Sequence, residues 1–249
     1  MLITQKLNYS LVKTHLRIYS FTQMNKLDTI NSDTHMSKIV ESNLMKVISF
    51  LNPKGGSGKT TVAINVSTSL AKNYRVAVVD TDPQQSLANW NKADKANFDV
   101  YTAASEKDVY TIRKELSDYD FVVIDGAGAL SVITAAAVMV SDLVIVPVTP
   151  SPLDFSAAGA VINVLEAQSY NRPVECRFLI TRKIEQASML SVLRESIALT
   201  GIGLLRTSVN QRQSYVKSIL DGETVFETND SAAKGEIDVL TNEILKLVS

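Results

Sequence analysis

Val47-Ile-Ser-Phe-Leu-Asn-Pro-Lys-Gly-Gly-Ser-Gly-Lys-Thr-Thr61 decides the fold. Its first five residues form an apolar run that reads as a buried strand. The residues beyond it, Val62, Ile64, Val66 and Leu70, follow helical apolar spacing. Strand, glycine-rich loop and helix in that order make a phosphate cradle, because successive backbone N–H groups can converge above a helix N-terminus. Gly55, Gly56, Ser57 and Gly58 supply the converging N–H groups, and a Cβ there would hold a phosphate away. Lys59 is spaced to reach the β- and γ-phosphates, and Thr60, followed by Thr61, to place a hydroxyl on Mg²⁺. The strict G-x-x-x-x-G-K-[ST] pattern nevertheless fails: Pro53 stands at its first glycine, with a second lysine, Lys54, beside it.

Working outward, the 249 residues suffice for one sizeable α/β domain. A net charge of −1 excludes a general polycation, so any nucleic-acid contact must come from a local patch. The single cysteine, Cys176, excludes an intrachain disulfide and a cysteine metal cluster, and it sits in an apolar run as core filler. No apolar run has the length of a membrane span, and a reducing cytoplasm is expected. Residues 1–44 contain no glycine or proline and place all their acids, Asp28, Asp33 and Glu41, in the second half. They are expected to be a disordered extension to a domain over 45–249, with Met45 as an alternative start.

From residue 46, strand-like runs at 46–51, 75–80, 98–102, 119–125, 142–148, 176–181 and 202–206 alternate with helical patterns. The helical patterns fall at 58–73, 84–95, 105–117, 130–140, 153–170, 186–200, 210–220 and 230–247. Runs such as Leu143-Val-Ile-Val-Pro-Val148 are apolar throughout, as a strand covered on both faces requires. The expected fold is an α/β P-loop NTPase: a mostly parallel, twisted sheet with helices on both faces. Ligands then bind beyond the carboxyl ends of the strands. Asp80, Asp82 and Asp125 stand there, and Asp125 closes a hydrophobic strand as a magnesium-holding aspartate does.

KGGSGKTT (Lys54 to Thr61) resembles the deviant Walker A box of the ParA/MinD group of P-loop ATPases, with Lys54 as its signature lysine. The similarity continues in VVDTDPQQS from Val78, DYDFVVIDGAG from Asp118, VIVPVTPSPLDFSAAG from Val144, FLITRK from Phe178 and DGETVFE from Asp221. Within the group the chain resembles the small plasmid-partition ATPases of the ParF type. The resemblance implies an ATP sandwich dimer, or a filament, in which Lys54 reaches the partner subunit's phosphates. It assigns Asp82 to the attacking water and Asp80 to the neighbourhood of Mg²⁺. It places Pro150 and Arg182 against the base and Asp154 toward the partner subunit. Gly126-Ala-Gly128 departs from the threonine–proline pattern of the group, and its glycines are expected to give a γ-phosphate switch its freedom.

The resemblance further implies plasmid segregation by a cytoplasmic, nucleoid-associated ATPase. Its partners would be nonspecific DNA and a small centromere-binding protein that stimulates hydrolysis. Lys183, Arg194, Arg212 and Lys217 are the candidate DNA contacts. A membrane-positioning role like that of MinD is disfavoured. The C-terminal helical pattern, with Ile237, Leu240 and Ile244, reads as core-facing and lacks a basic polar face. The lone cysteine disfavours an iron–sulfur role, and no terminal tyrosine cluster suggests a tyrosine kinase. The alternatives that remain are another cargo-positioning ATPase of the same group and a nucleotide-dependent interaction protein that does not hydrolyse.

Overall fold

A computed structural model describes residues 45–184 and 189–249. The extension expected over 1–44 lies outside them. Seven strands form one sheet in the order β3-β2-β4-β1-β5-β6-β7. They are β1 Lys46–Phe50, β2 Val76–Asp80, β3 Asp99–Thr102, β4 Phe121–Asp125, β5 Leu143–Val148, β6 Glu175–Ile180 and β7 Gly203–Leu204. Every neighbouring pair is parallel. The α-helices among the described residues are α1 Lys59–Leu70, α2 Ser86–Trp90, α3 Glu106–Glu115 and α4 Val132–Val140, followed by α5 Pro152–Ser169, α6 Met189–Leu199, α7 Gln213–Leu220 and α8 Ser231–Val248.

Alternate strand residues feed two cores, because side chains in a strand point to opposite faces in turn. Val47, Val122, Val144 and Phe178 pack on one face with α3, α4, α5 and α6 residues such as Ile112, Ala137, Val161 and Leu193. Ile48, Val78, Val123 and Ile145 pack on the other with Ile64, Leu87, Tyr215 and Ile244 of α1, α2, α7 and α8. The crossover leaving β1 therefore runs over one face and those leaving β4 and β5 over the other. That divergence opens a crevice beyond the end of β1, where an open α/β sheet binds its ligand.

The C-terminal helix α8 does face the core. Ile237, Leu240 and Ile244 are fully buried, and Asp238 holds both Ser69 at 2.6 Å and Lys72 at 2.8 Å. None of the described helices is long and apolar enough to cross a membrane. Cys176 is buried in the first core, as its apolar run implies, and burial pushes its thiol up to about 12.

Three elements depart clearly from the sequence pattern, two of them through a side chain from far along the chain. Strand β7 is only two residues long: the Leu205 N–H still donates to the Phe178 carbonyl of β6 at 2.9 Å, and the two N–H groups that follow turn away. Those of Arg206 and Thr207 donate to the Glu243 carboxylate at 2.7 and 2.9 Å. Helix α2 starts late because Gln85 is left-handed at φ 51, and it gives way to a 3₁₀ turn at Asn91–Ala93. Helix α7 starts at Gln213, since the N–H of Asn210 is drawn to Glu236 at 3.0 Å.

Candidate nucleotide site

Between β1 and α1 the chain must turn without side chains in the way. Gly56 and Gly58 adopt φ 78 and 89, a left-handed conformation that suits glycine. Gly58 begins α1 with no side-chain cap. Among the described residues, no protein acceptor takes the N–H groups of Gly55, Gly56, Ser57, Gly58 or Lys59. Five consecutive donors left open at a helix N-terminus constitute an anion cradle. Asn52 supports its entrance: the fully buried amide donates to the Pro147 carbonyl at 2.7 Å and accepts the Lys54 N–H at 2.9 Å.

The two lysines sit differently. Lys59 is buried, and its ammonium donates to the Lys54 carbonyl at 3.2 Å. Burial lowers its pKa, while the charges of Asp125 and Asp82 oppose that drop. Lys54 is exposed at the rim, and among the described residues its ammonium has no partner.

Asp125, at the end of β4, is fully buried, and neither carboxylate oxygen has a hydrogen-bond partner of ordinary geometry. Burial pushes its carboxyl up to about 7, against the opposing pull of the Thr60 hydroxyl and Lys59. A bare buried carboxylate is costly unless something positive compensates it. With the Thr60 hydroxyl beside it, the pair fits a magnesium ion that takes its other ligands from phosphates and water. No cluster of three acidic, histidine or cysteine ligands occurs among the described residues, so the protein alone offers no metal cage.

Asp80 behaves otherwise. Its Oδ1 accepts the Asp82 N–H at 3.0 Å, and its Oδ2 accepts those of Leu87 and Ala88 at 3.0 Å each. Both oxygens thus hold the loop after β2 and the start of α2, which makes Asp80 a support for Asp82. Asp82 accepts from Gln84 at 2.9 Å and from the Gly128 N–H at 3.3 Å. A Cβ on Gly128 would lie 3.9 Å from both Asp82 Oδ2 and the Gly55 Cα, so three loops meet there. The expected reason for Gly126 is corrected. Its N–H donates to the Phe50 carbonyl at 3.0 Å, and a Cβ would stand 2.8 Å from that oxygen and 2.5 Å from Leu51 Cδ2. Close approach of two strand ends, and no unusual φ, demands glycine at this position.

A cleft of about 410 Å³ runs from Lys54 and Gly56 past Pro150 to Arg182. A second hollow of about 350 Å³ lies beyond Arg182, against Thr61, Asn210 and Tyr215. Arg182 lines both and adopts φ 48, a strained value for a side-chain-bearing residue. One of its guanidinium nitrogens comes within 4.0 Å of where a Gly56 Cβ would be. Asp154, expected at a subunit face, is buried and accepts the Thr149 hydroxyl at 2.6 Å within its own chain.

The basic residues divide. Arg194 and Lys217 are exposed on α6 and α7, and Lys183 is half-buried at the exit of β6. Arg212 instead pairs with Asp230 at 3.9 Å and Glu236 at 3.5 Å, so its charge is engaged within the chain. Sequence reading missed Asn52 and the bond by which Thr181, beside Arg182, donates its hydroxyl to the Ser57 carbonyl at 2.7 Å. A polar residue directly after an apolar strand was the only signal for either.

The family model for the CobQ/CobB/MinD/ParA nucleotide-binding domain matches residues 48–225. A "Maintenance of carboxysome distribution protein A" from Halothiobacillus neapolitanus is 30% identical over 212 residues, covering 82% of this chain and 98% of that protein. Among solved structures, apo McdA from Cyanothece superposes with a TM-score of 0.69 at 16% identity, over 80% of this chain and 99% of its own. A putative plasmid partition protein from Borrelia burgdorferi bound to AMPPNP superposes with a TM-score of 0.66 at 22% identity, over 81% of this chain and 98% of its own. At such identities the structural likeness speaks for the fold.

Proposed function

We propose that this chain, which belongs to the CobQ/CobB/MinD/ParA nucleotide-binding domain family, is a magnesium-dependent ATPase that dimerises on ATP and segregates plasmid DNA. The observation that carries the reading is the division of labour between the two lysines. Lys59 is built into its own cradle, while Lys54 stands exposed at the rim with its ammonium unpartnered among the described residues. A lysine so placed is available to phosphates held by a second copy.

In this reading the open N–H groups and Lys59 bind and orient the phosphates of ATP. Asp125 and Thr60 hold Mg²⁺, which when bound supplies the positive charge that neutralises the phosphate oxygens. Asp82 orients the attacking water. Because the same carboxylate holds Gly128, the position of the loop after β4 is tied to that of the water. Arg182 borders the base. Exposed Arg194 and Lys217 contact DNA phosphates without reading sequence, and a small centromere-binding protein stimulates turnover.

ATP turnover by wild type and Lys59→Ala tests the enzyme: equal turnover would sink it. DNA retention with ATP, strong at low salt and lost at high salt, tests the partition reading. A second reading has specific support in the likeness to the carboxysome distribution protein, which spans 98% of that protein and 82% of this chain. The same cycle would then position a protein-bounded cargo. Loss of a resident plasmid on deletion favours the first, and mislocalised compartments with stable plasmids favour the second.

A further inference from the structure

We propose that Thr181 is a positioning residue for the phosphate cradle: its hydroxyl fixes the direction in which Gly58 presents its N–H. This rests on the ATP reading above. Thr181 follows β6 and is 1% exposed. Its N–H donates to the Val148 carbonyl at 2.9 Å, which ties it to the neighbouring strand. Its hydroxyl lies 2.7 Å from the Ser57 carbonyl and 3.3 Å from that of Val148. One hydroxyl has one proton to donate, and the shorter contact takes it.

The bond matters through peptide geometry. In a planar trans peptide the Ser57 carbonyl and the Gly58 N–H point in opposite directions. Holding the carbonyl toward Thr181 therefore aims the N–H the other way, where no acceptor among the described residues meets it. This peptide joins Ser57 to Gly58, and the glycine on its far side, at φ 89, restrains its direction little. The Thr181 side chain also stands 3.5 to 3.6 Å from where a Gly58 Cβ would be, closing that side of the turn. The next residue, Arg182, borders both hollows. One dipeptide thus braces the phosphate end of the site and borders its base end.

The test compares wild type, Lys59→Ala, Thr181→Val and Thr181→Ser, each as the full chain. MgATP and MgADP binding are measured by calorimetry, with kcat and KM for turnover and a thermal melt of each variant. Valine keeps the shape and removes the donor, so Thr181→Val should bind both nucleotides about tenfold more weakly. Its melting temperature should change by only a few degrees. Thr181→Ser should restore affinity to within about twofold. A purely structural role would lower the melting temperature and leave affinity alone. If Thr181→Val binds like wild type while Lys59→Ala does not bind, the inference is overturned and the ATP site stands. If valine and serine variants are equally weak, packing of the methyl and not the hydroxyl is responsible, and the inference again fails. A wild type that binds no nucleotide would overturn the ATP reading and this inference with it.

Discussion

The Lys59 ammonium donates to the carbonyl of Lys54, 3.2 Å away, so the backbone of one lysine seats the side chain of the other. Replacing either side chain leaves that carbonyl in place, which makes the two variants separable. Lys59→Ala should weaken ATP binding by about 10- to 100-fold, the worth of a charge-assisted hydrogen bond of roughly 1.5–3 kcal/mol. Lys54→Ala should bind ATP nearly as wild type does yet stay monomeric with ATP, read by light scattering after size exclusion.

Asp125 carries two bare oxygens in a fully buried position. Asp125→Asn removes a desolvated charge, so nucleotide-free stability in urea should be unchanged or higher by about 1 kcal/mol. Function should move the other way. Wild type should bind ATP more tightly with Mg²⁺ than with EDTA, and the variant should show one affinity in both.

Gly126 and Gly128 look alike in sequence and differ in surroundings. A Cβ at Gly126 would press on the Phe50 carbonyl at 2.8 Å, whereas one at Gly128 meets nothing nearer than 3.9 Å. Gly126→Ala should cost about 1–3 kcal/mol in urea denaturation. Gly128→Ala should stay within about 0.5 kcal/mol of wild type.

Arg212 and Lys217 were alike as candidate DNA contacts and are not alike in the fold. Arg212→Ala leaves Glu236 and Asp230 short of a cation and should destabilise the α7–α8 pairing by about 1–3 kcal/mol. Lys217→Ala should leave stability within about 0.5 kcal/mol and reduce ATP-dependent DNA retention and its salt slope.

Cys176 is held neutral by burial, its thiol pushed up to about 12. A thiolate is the reactive form, so the native protein should resist a thiol-specific reagent at pH 8. Reaction should become complete once urea unfolds the chain.

What the sequence made legible was local. Among the described residues, the seven strands and eight α-helices fall within or close to the segments that apolar periodicity marks, since each pattern concerns neighbours in the chain. The glycine loop, Lys59, Thr60 and Asp125 come together because they end adjacent strands or begin the helix that follows. The illegible part lies in bonds between distant residues. Nothing near Thr181 announces a bond to Ser57, 124 positions away. Nothing near Asn52 announces one to Pro147, 95 positions away. Likewise Glu243 shortens β7 and Glu236 delays α7, both from the last helix. Asp80 looked like a companion of Asp82 in chemistry; only the positions of Leu87 and Ala88 reveal it as a brace.

The sheet order also sets a timetable for synthesis. β1 comes first among the seven strands in the chain and ends up between β4 and β5. Val47 and Asp142, 95 positions apart, are joined twice: the Val47 N–H donates to the Asp142 carboxylate and the Asp142 N–H to the Val47 carbonyl, each at 2.8 Å. A nascent chain that has emerged only as far as α4 therefore holds the complete lysine loop with one flank of its strand unpaired. Such long-range pairing is slow to form and late on the ribosome. The braces of that loop, the Pro147 carbonyl that holds Asn52 and the Thr181 hydroxyl that holds Ser57, arrive only with β5 and β6, so on the ATP reading nucleotide meets a fully braced cradle only after both are out. The part of the molecule that arrives early must wait for its neighbours before it can work.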